Sequence, residues 1–278
     1  MSSLLTEFIA GHERIFVLTG AGISTASGIP DYRDESGDWK QRMPMEYRDF
    51  VDHYPARQRY WARSFIGWQR FSRARPNQAH DALARLEQLN RIAHTVTQNV
   101  DGLHQSAGSR RLTELHGSLA TVVCLDCGAL SARKLVQQQL LENNPVLADL
   151  SAHIAPDGDA YLDGFDESSL IIPGCVSCAG TLKPQVVFFG ETVPVERVRE
   201  CFDALRQADA MLVIGSSLMV YSGFRFVRTA QDMGIPIMAL NRGKTRADEL
   251  LTLKLELDCG AALNAALKQL DPDSANSG

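Results

Sequence analysis

An α/β fold, one doubly wound parallel sheet interrupted by a helical insertion and by a small metal-binding module, is predicted by three features of the sequence. Short apolar runs alternate with helical patterns. A glycine turn closes the first of those runs. Two C-x-x-C pairs sit in a stretch that breaks the alternation. The chain has 278 residues, 45% hydrophobic and 22% charged, enough for one large core with inserts. Its net charge of −5 argues against a general affinity for nucleic acid.

Residues 4–10 read as a short helix stopped by Gly11. "RIFVLTG" is a buried strand that ends at the glycine turn. Residues 36–76, rich in aromatics and arginines, read as helices inserted after that loop. "QAHDALARLEQL" carries Ala79, Ala82, Leu83, Leu86 and Leu89 at helical spacing. "IAHTVTQNV", "ADAMLVIGSS" and "IPIMALN" are the next three strands. "VERVRECFDALRQA" and "SGFRFVRTAQDMG" are helices between strands, and "GAALNAALKQL" closes the fold. The tail "DPDSANSG" has the composition of a disordered end. The expected organisation is a Rossmann-like domain in three segments, 1–35, 77–120 and 182–268. It is interrupted by the helical insertion 36–76 and a zinc-binding module 121–181, and followed by the tail 269–278.

The opening "MSSLLTEFIAGHERIF" has no basic stretch, and Glu7 breaks its apolar run. "AMLVIGSSLMVYSGF" is too short and too rich in Ser and Gly to span a bilayer. A cytoplasmic protein with no membrane partner is expected.

Cys124 and Cys127 form one C-x-x-C pair, Cys175 and Cys178 the other. Each pair lets two thiolates on one tight turn reach a single ion, and two such knuckles complete a closed tetrahedral zinc site. Gly128, Gly174 and Gly180 suit the knuckle turns. Four thiolates leave no open position on the ion, so the expected zinc is structural. Disulfides are the competing reading, disfavoured in a reducing compartment.

The first loop is Gly20-Ala21-Gly22, a turn whose backbone N–H groups, with a following helix start, suit a pyrophosphate. A dinucleotide fingerprint has glycine or alanine where this chain has Thr25, so the motif alone is weak. Gln98, Asn99 and Asp101 follow the second strand, where open α/β sheets build their sites. A hydrogen-bonded turn capped by Asn99 and Asp101 explains them equally well. His116, in "ELHGS", is a candidate general base near neutral pH.

Taken together and in order, "GAGISTASGIPDYR", "TQNVDGLH", "ELHGS", the paired C-x-x-C, "VVFFGE", "GSSLMV" and "ALN" resemble the sirtuins, the NAD-dependent protein deacylases. The likeness runs from about residue 13 to about residue 267. "QRYWARSFIGWQRF", "GSRRLTELHG", "APDGD" and "SLMVYSG" are similar to class II sirtuins, the group that includes a mitochondrial ADP-ribosyltransferase and lipoamidase.

The resemblance implies cleavage of NAD at its nicotinamide–ribose bond, with NAD and one structural zinc as cofactors and acyl-lysine proteins as substrates. It implies that Gly20, Ala21, Gly22, Ser24 and Thr25 serve the NAD site. Pro30, Asp31, Tyr32 and Arg33 would fold over the nicotinamide ribose. Gln98, Asn99, Val100 and Asp101 would line the nicotinamide pocket, with Asn99 and Asp101 catalytic beside His116, the general base on the ribose hydroxyls. Gly215, Ser216, Ser217, Asn241, Arg242, Gly243 and the backbone at Cys259 would take the adenosine half. Val187, Phe188, Phe189 and Gly190 on one side, and Leu218 and Val220 on the other, would pair with the substrate backbone.

Tyr32 stands where deacetylase-type sirtuins usually carry Phe. Tyr60 and Arg63 are i,i+3 neighbours, similar to the Tyr-x-x-Arg by which class III sirtuins hold an acyl carboxylate, so a preference for acidic or bulky acyl groups is expected. Mono-ADP-ribosyl transfer to protein is the alternative enzyme activity. Residues 53–80, with six arginines, no acid and interleaved aromatics, supply a non-enzyme alternative, a nucleic-acid patch. An amphipathic helix over the acyl site explains the same aromatics more simply.

Overall fold

The computed structural model describes residues 2–40, 43–149, 153–154, 160–161 and 166–271. The chain opens with α1 (Ser2–Ala10) and β1 (Ile15–Thr19), followed by α2 (Tyr47–Asp52), α3 (Tyr54–Phe71) and α4 (Gln78–Gln88). Next come β2 (Ile92–Thr97), α5 (Leu103–Ser106), β3 (Leu112–Glu114), β4 (Gly117–Cys124), β5 (Leu130–Ala132) and α6 (Arg133–Asn143). The short β6 (His153–Ile154) and β7 (Ala160–Tyr161) precede β8 (Leu182–Val186), α7 (Val195–Arg206) and β9 (Ala210–Ile214). The chain then forms α8 (Tyr221–Asp232), β10 (Ile237–Leu240), β11 (Leu253–Leu255) and α9 (Cys259–Leu270).

Six parallel strands form the main sheet in the order β11-β10-β9-β1-β2-β3. This is the doubly wound order, and it reverses between β1 and β9. The loops leaving those two strands diverge to opposite faces, which opens a crevice at their carboxyl ends. β1 shows why its sequence has no polar alternation. Ile15 and Val17 enter one core with α1, α4 and α9, while Phe16 and Leu18 enter the other with α7 and α8. A strand covered on both faces reads as a continuous apolar run. Each such fully buried side chain contributes about 1.5–3 kcal/mol. α4 is capped by Asn77, whose side chain accepts from the Ala79 N–H at 2.9 Å and closes a capping box with His80.

A second body sits beside the sheet. β4 pairs antiparallel with β5 and β8, and carries the first cysteine pair at its end. Trp61 and Phe65 of α3 are buried against this unit, in a core with Val122, Val136, Leu140, Leu182 and Phe188. The two insertions therefore share one core instead of standing apart. Trp61 is wholly inaccessible and Phe65 nearly so, and neither presents a face on which a base could stack. β4 begins before the expected 121–181 span, and its partner β8 lies just beyond it. "APDGD" (155–159) and residues 272–278 of the expected tail lie outside the described residues, and α9 runs on to Leu270. Among the described residues, no helix is long and apolar enough to cross a membrane.

Candidate active site

One cavity of about 490 Å³ opens at the carboxyl ends of β1 and β9 and extends to the cleft between the sheet and the second body. That volume lies in the ordinary range for small-molecule sites. Gly20, Ala21, Gly22 and Ser24 line it from the loop after β1, and Asp31, Tyr32 and Arg33 from the segment beyond. The β1 loop forms two 3₁₀ turns, Ala21–Ile23 and Thr25–Ser27, where the sequence led us to expect a helix start. Two of its three N–H donors are already engaged: Gly20 N–H donates to Ile214 O at 3.1 Å and Gly22 N–H to Gly215 O at 2.8 Å. Close packing of the loops after β1 and β9 is the cause, and it leaves Ala21 N–H as the donor not used by these two bonds. Thr25 is exposed, its hydroxyl donates to Gly22 O at 3.1 Å, and neither Thr25 nor Pro30 reaches the cavity wall.

The same packing fixes the glycine requirement. Gly215 has φ +58, and a Cβ there would overlap Ile23 N and Gly22 C. Gly215→Ala is expected to destabilise the protein by about 2 kcal/mol or more. Urea unfolding checks this, and an unchanged midpoint contradicts it.

Gln98, Asn99, Val100 and Asp101 line the centre of the cavity. Gln98 Nε2 donates to Ser216 Oγ at 2.8 Å, tying the β2 loop to the β9 loop. Asn99 Nδ2 donates to Gly20 O at 3.1 Å and to Ser24 Oγ at 3.0 Å. Ser24 in turn donates to Asp101 Oδ2 at 2.7 Å, while Leu103 N–H holds the other carboxylate oxygen at 3.0 Å. Asn99 and Asp101 thus do more than cap a turn. They join the β1 and β2 loops around one hydroxyl, that of Ser24. Behind Ser24 lie His80 and His104, both fully buried. Burial pushes His104 down to about 3, so that ring is neutral.

His116 closes the wall where β3 gives way to β4. Its Nδ1 is 2.9 Å from Gln98 O. A carbonyl only accepts, so Nδ1 carries the proton and the neutral ring leaves Nε2 as a base. Nε2 accepts from Ser222 Oγ at 2.8 Å. Burial pushes the ring down to about 4, the Gln98 carbonyl opposes that shift, and the charges of Arg197 and Arg225 reinforce it.

Val187, Phe188, Phe189 and Gly190 form one rim. His116 O accepts from Val187 N–H and Phe189 O from Tyr47 N–H, each at 2.8 Å, so both the strand junction and the helical insertion brace this rim. Lys183, almost wholly buried, pairs with Glu191 at 2.9 Å, and Glu191 accepts from Phe188 N–H at 2.8 Å. Leu218 and Val220 form the facing rim with Gly215, Ser216 and Ser217. Leu218 has φ +57, an unusual conformation for a branched side chain. Asn241 and Arg242 line the far end. Gly243 and Cys259 lie off the wall. The Cys259 thiol points to Leu240 O at 3.7 Å, and burial pushes it up to about 11.

Tyr60 reaches the cavity, packed edge-on to Phe50, but Arg63 does not. Arg63 Nε is 2.7 Å from Glu167, a carboxylate contributed by the second body. Helical spacing brings the pair to one side of α3, and the tertiary partner then draws Arg63 away from the cavity. The sequence reading missed Lys183, Glu191, Ser222 and Arg225. Glu191 was within reach, as the residue after "VVFFG".

The four cysteine Sγ atoms lie within 4.8 Å of one another. Cys124 and Cys178 are 3.5 Å apart, Cys127 and Cys175 3.8 Å. Four sulfurs around a tetrahedral zinc stand about 3.8 Å apart, so the cluster fits that ion and is far too open for disulfides. In the first knuckle the left-handed turn falls on Gly128, as expected. In the second it falls on Ala179, with Gly174 and Gly180 set close against Ala179 and Asp126.

Comparison with known proteins follows the same outline. The Sir2 family model matches residues 20–222. NAD-dependent protein deacetylase 2 of Bradyrhizobium diazoefficiens is 57% identical over 259 residues, 93% of this chain and 95% of that protein. The mitochondrial NAD-dependent protein lipoamidase sirtuin-4 of Bos taurus is 49% identical over 262 residues, 93% of this chain and 83% of that protein. A solved Sir2 structure with a p53 peptide and NAD superposes with TM-score 0.75 at 28% identity, covering 100% of both chains. Sir2Tm bound to a propionylated peptide gives TM-score 0.76 at 29% identity, covering 96% of this chain and 97% of that one.

Proposed function

The chain belongs to the Sir2 family, and on that premise we propose that it is an NAD-dependent protein deacetylase that strips acyl groups from lysine side chains. The observation that carries the reading is His116, a neutral imidazole with its basic Nε2 on the same cavity wall as Asn99 and Asp101. When bound, NAD supplies a nicotinamide leaving group and a ribose carbon that accepts the acyl-amide oxygen. Ala21 N–H, Ser216 and Ser217 offer donors to its diphosphate and adenosine side, with Asn241 and Arg242 beyond.

Asp101, oriented by Ser24 and Leu103 N–H, holds the nicotinamide side together with Asn99. His116 accepts a proton at Nε2 from a hydroxyl presented to it, the contact that Ser222 makes in the structure. Ile29, Phe71, Val186 and Phe188 supply an apolar lining that excludes water from the lysine methylenes. The rims at Val187–Gly190 and Leu218–Val220 pair with the peptide backbone, which gives affinity with little sequence selectivity. The zinc held by Cys124, Cys127, Cys175 and Cys178 is structural, with no position left for substrate.

The acyl range extends beyond acetyl to bulkier chains, through Tyr60 and the apolar lining and without Arg63, which is engaged by Glu167. Purified, zinc-loaded protein offered NAD with acetyl-, glutaryl- and lipoyl-lysine peptides is expected to release nicotinamide and deacylated peptide in equal amounts. No nicotinamide release with any of the three defeats the proposal. Acetyl turnover ahead of both others by a wide margin defeats the acyl range alone.

A further inference from the structure

Arg225 lines the cavity one helical turn beyond Ser222, the residue that touches His116. Its guanidinium lies 5.6 Å from the Tyr221 ring, and its buried Nε has no hydrogen-bond partner. Among the described residues, no carboxylate pairs with it. Four other cations around the cleft are already engaged. Arg63 has Glu167 and Lys183 has Glu191, while Arg197 donates to Leu115 O at 3.1 Å and Arg33 to Gly37 O at 2.7 Å. Glu191, the carboxylate on the neighbouring wall, is already held by Lys183 and Phe188 N–H.

A half-buried guanidinium with an unanswered N–H is costly, and the cost is recovered when an anion completes the fork. Arg225 lies one turn into α8, the helix that follows the Leu218–Val220 rim. Standing one turn beyond Ser222, whose hydroxyl meets His116 Nε2 at 2.8 Å, it belongs to the part of the cavity around His116, whereas the dinucleotide's phosphates belong with the β1 and β9 loops.

We propose that Arg225 is the receptor for a carboxylate carried by the acyl-lysine substrate, either on a residue flanking the modified lysine or at the end of the acyl chain. This rests on the deacylase reading. The chemistry is bidentate pairing of a planar cation with a planar anion, which lysine reproduces only in part.

The test measures both peptide affinity and kcat/KM for matched pairs. One pair is an acetyl-lysine peptide with acidic or neutral flanks. The other is a glutaryl-lysine or pentanoyl-lysine peptide in the neutral sequence. At least one carboxylate-bearing member is expected to exceed its uncharged counterpart by about tenfold or more at low salt. Arg225→Gln should bring that ratio to about one, and Arg225→Lys should keep part of it. A gain in the first pair assigns the carboxylate to the peptide, and a gain in the second assigns it to the acyl chain. A merely structural role would depress charged and uncharged members alike and leave the ratio standing. The proposal is overturned if neither pair shows a gain, if the gain survives in Arg225→Gln, or if that variant instead loses affinity for NAD. Absence of turnover with every peptide defeats the deacylase reading, while the affinity ratios still report on Arg225.

Discussion

Replacing His116 by alanine is expected to lower kcat by about 10²–10⁴-fold, while the protein keeps its zinc and a near-native unfolding midpoint. The size follows from the role of a single general base. The specificity follows from the ring's surroundings. Nδ1 is committed to Gln98 O, so the variant loses the one unprotonated nitrogen at this point of the wall. The pH dependence is a separate check. Burial, with Arg197 and Arg225 acting in the same direction, holds the folded ring down to about 4, against about 6.5 for an unfolded histidine. The base is therefore already deprotonated at pH 6, and the pH–rate profile should show no acid limb near 6.5. A limb centred there would show that the ring titrates normally.

The same shift has a consequence for stability. Between about pH 6.5 and 4 the unfolded chain binds a proton that folded His116 refuses. Stability is therefore complete above 6.5 and declines as pH falls through that window. His116→Ala should lose less stability across the window than the wild type does.

Removing the metal is expected to have an effect of similar severity by another route. Structural zinc sites contribute about 10 kcal/mol or more to the folding of the units they hold. β4 runs from the residue after His116 to Cys124 of the cluster, and β8 leads into Val187, whose N–H binds His116 O. Loosening the cysteine cluster is therefore expected to free both His116 and the Val187–Gly190 rim. Cys124→Ser, or chelation, should abolish turnover and open residues 125–181 to proteolysis, with zinc content falling in parallel. Cys201→Ser is the control. That side chain is fully buried in α7, away from the cluster, and the variant should retain its zinc. A chelated protein that still turns over NAD would mean that the module does not position the site.

Legibility in the sequence tracked the length and periodicity of each element. β1, β9 and β10 were readable because strands covered on both faces are nearly continuous apolar runs, and β2, despite His94, from its β-branched residues. β3 and β11 were not, since three residues at a sheet edge carry too little pattern to separate from a loop. The cysteine pairs announced the four-sulfur cluster, whose spacing fits a zinc ion, because ligand geometry restricts spacing. Tyr60 and Arg63 show the opposite case. Their spacing predicted one helix face correctly, but Glu167, distant in sequence, decided where the arginine points. The β1 loop is similar: its glycines were legible, but the engagement of two of its N–H groups by Ile214 O and Gly215 O depends on the neighbouring β9 loop.

By itself, then, the sequence determined the alternating elements, the four clustered cysteines and the residues at the ends of β1, β2 and β9, because each of these is written in local spacing and residue chemistry. Only the tertiary structure decided which donors remain available, which cations are answered by carboxylates, and that the two insertions share a core. Those outcomes depend on partners far apart along the chain, and no local pattern encodes a distance between them.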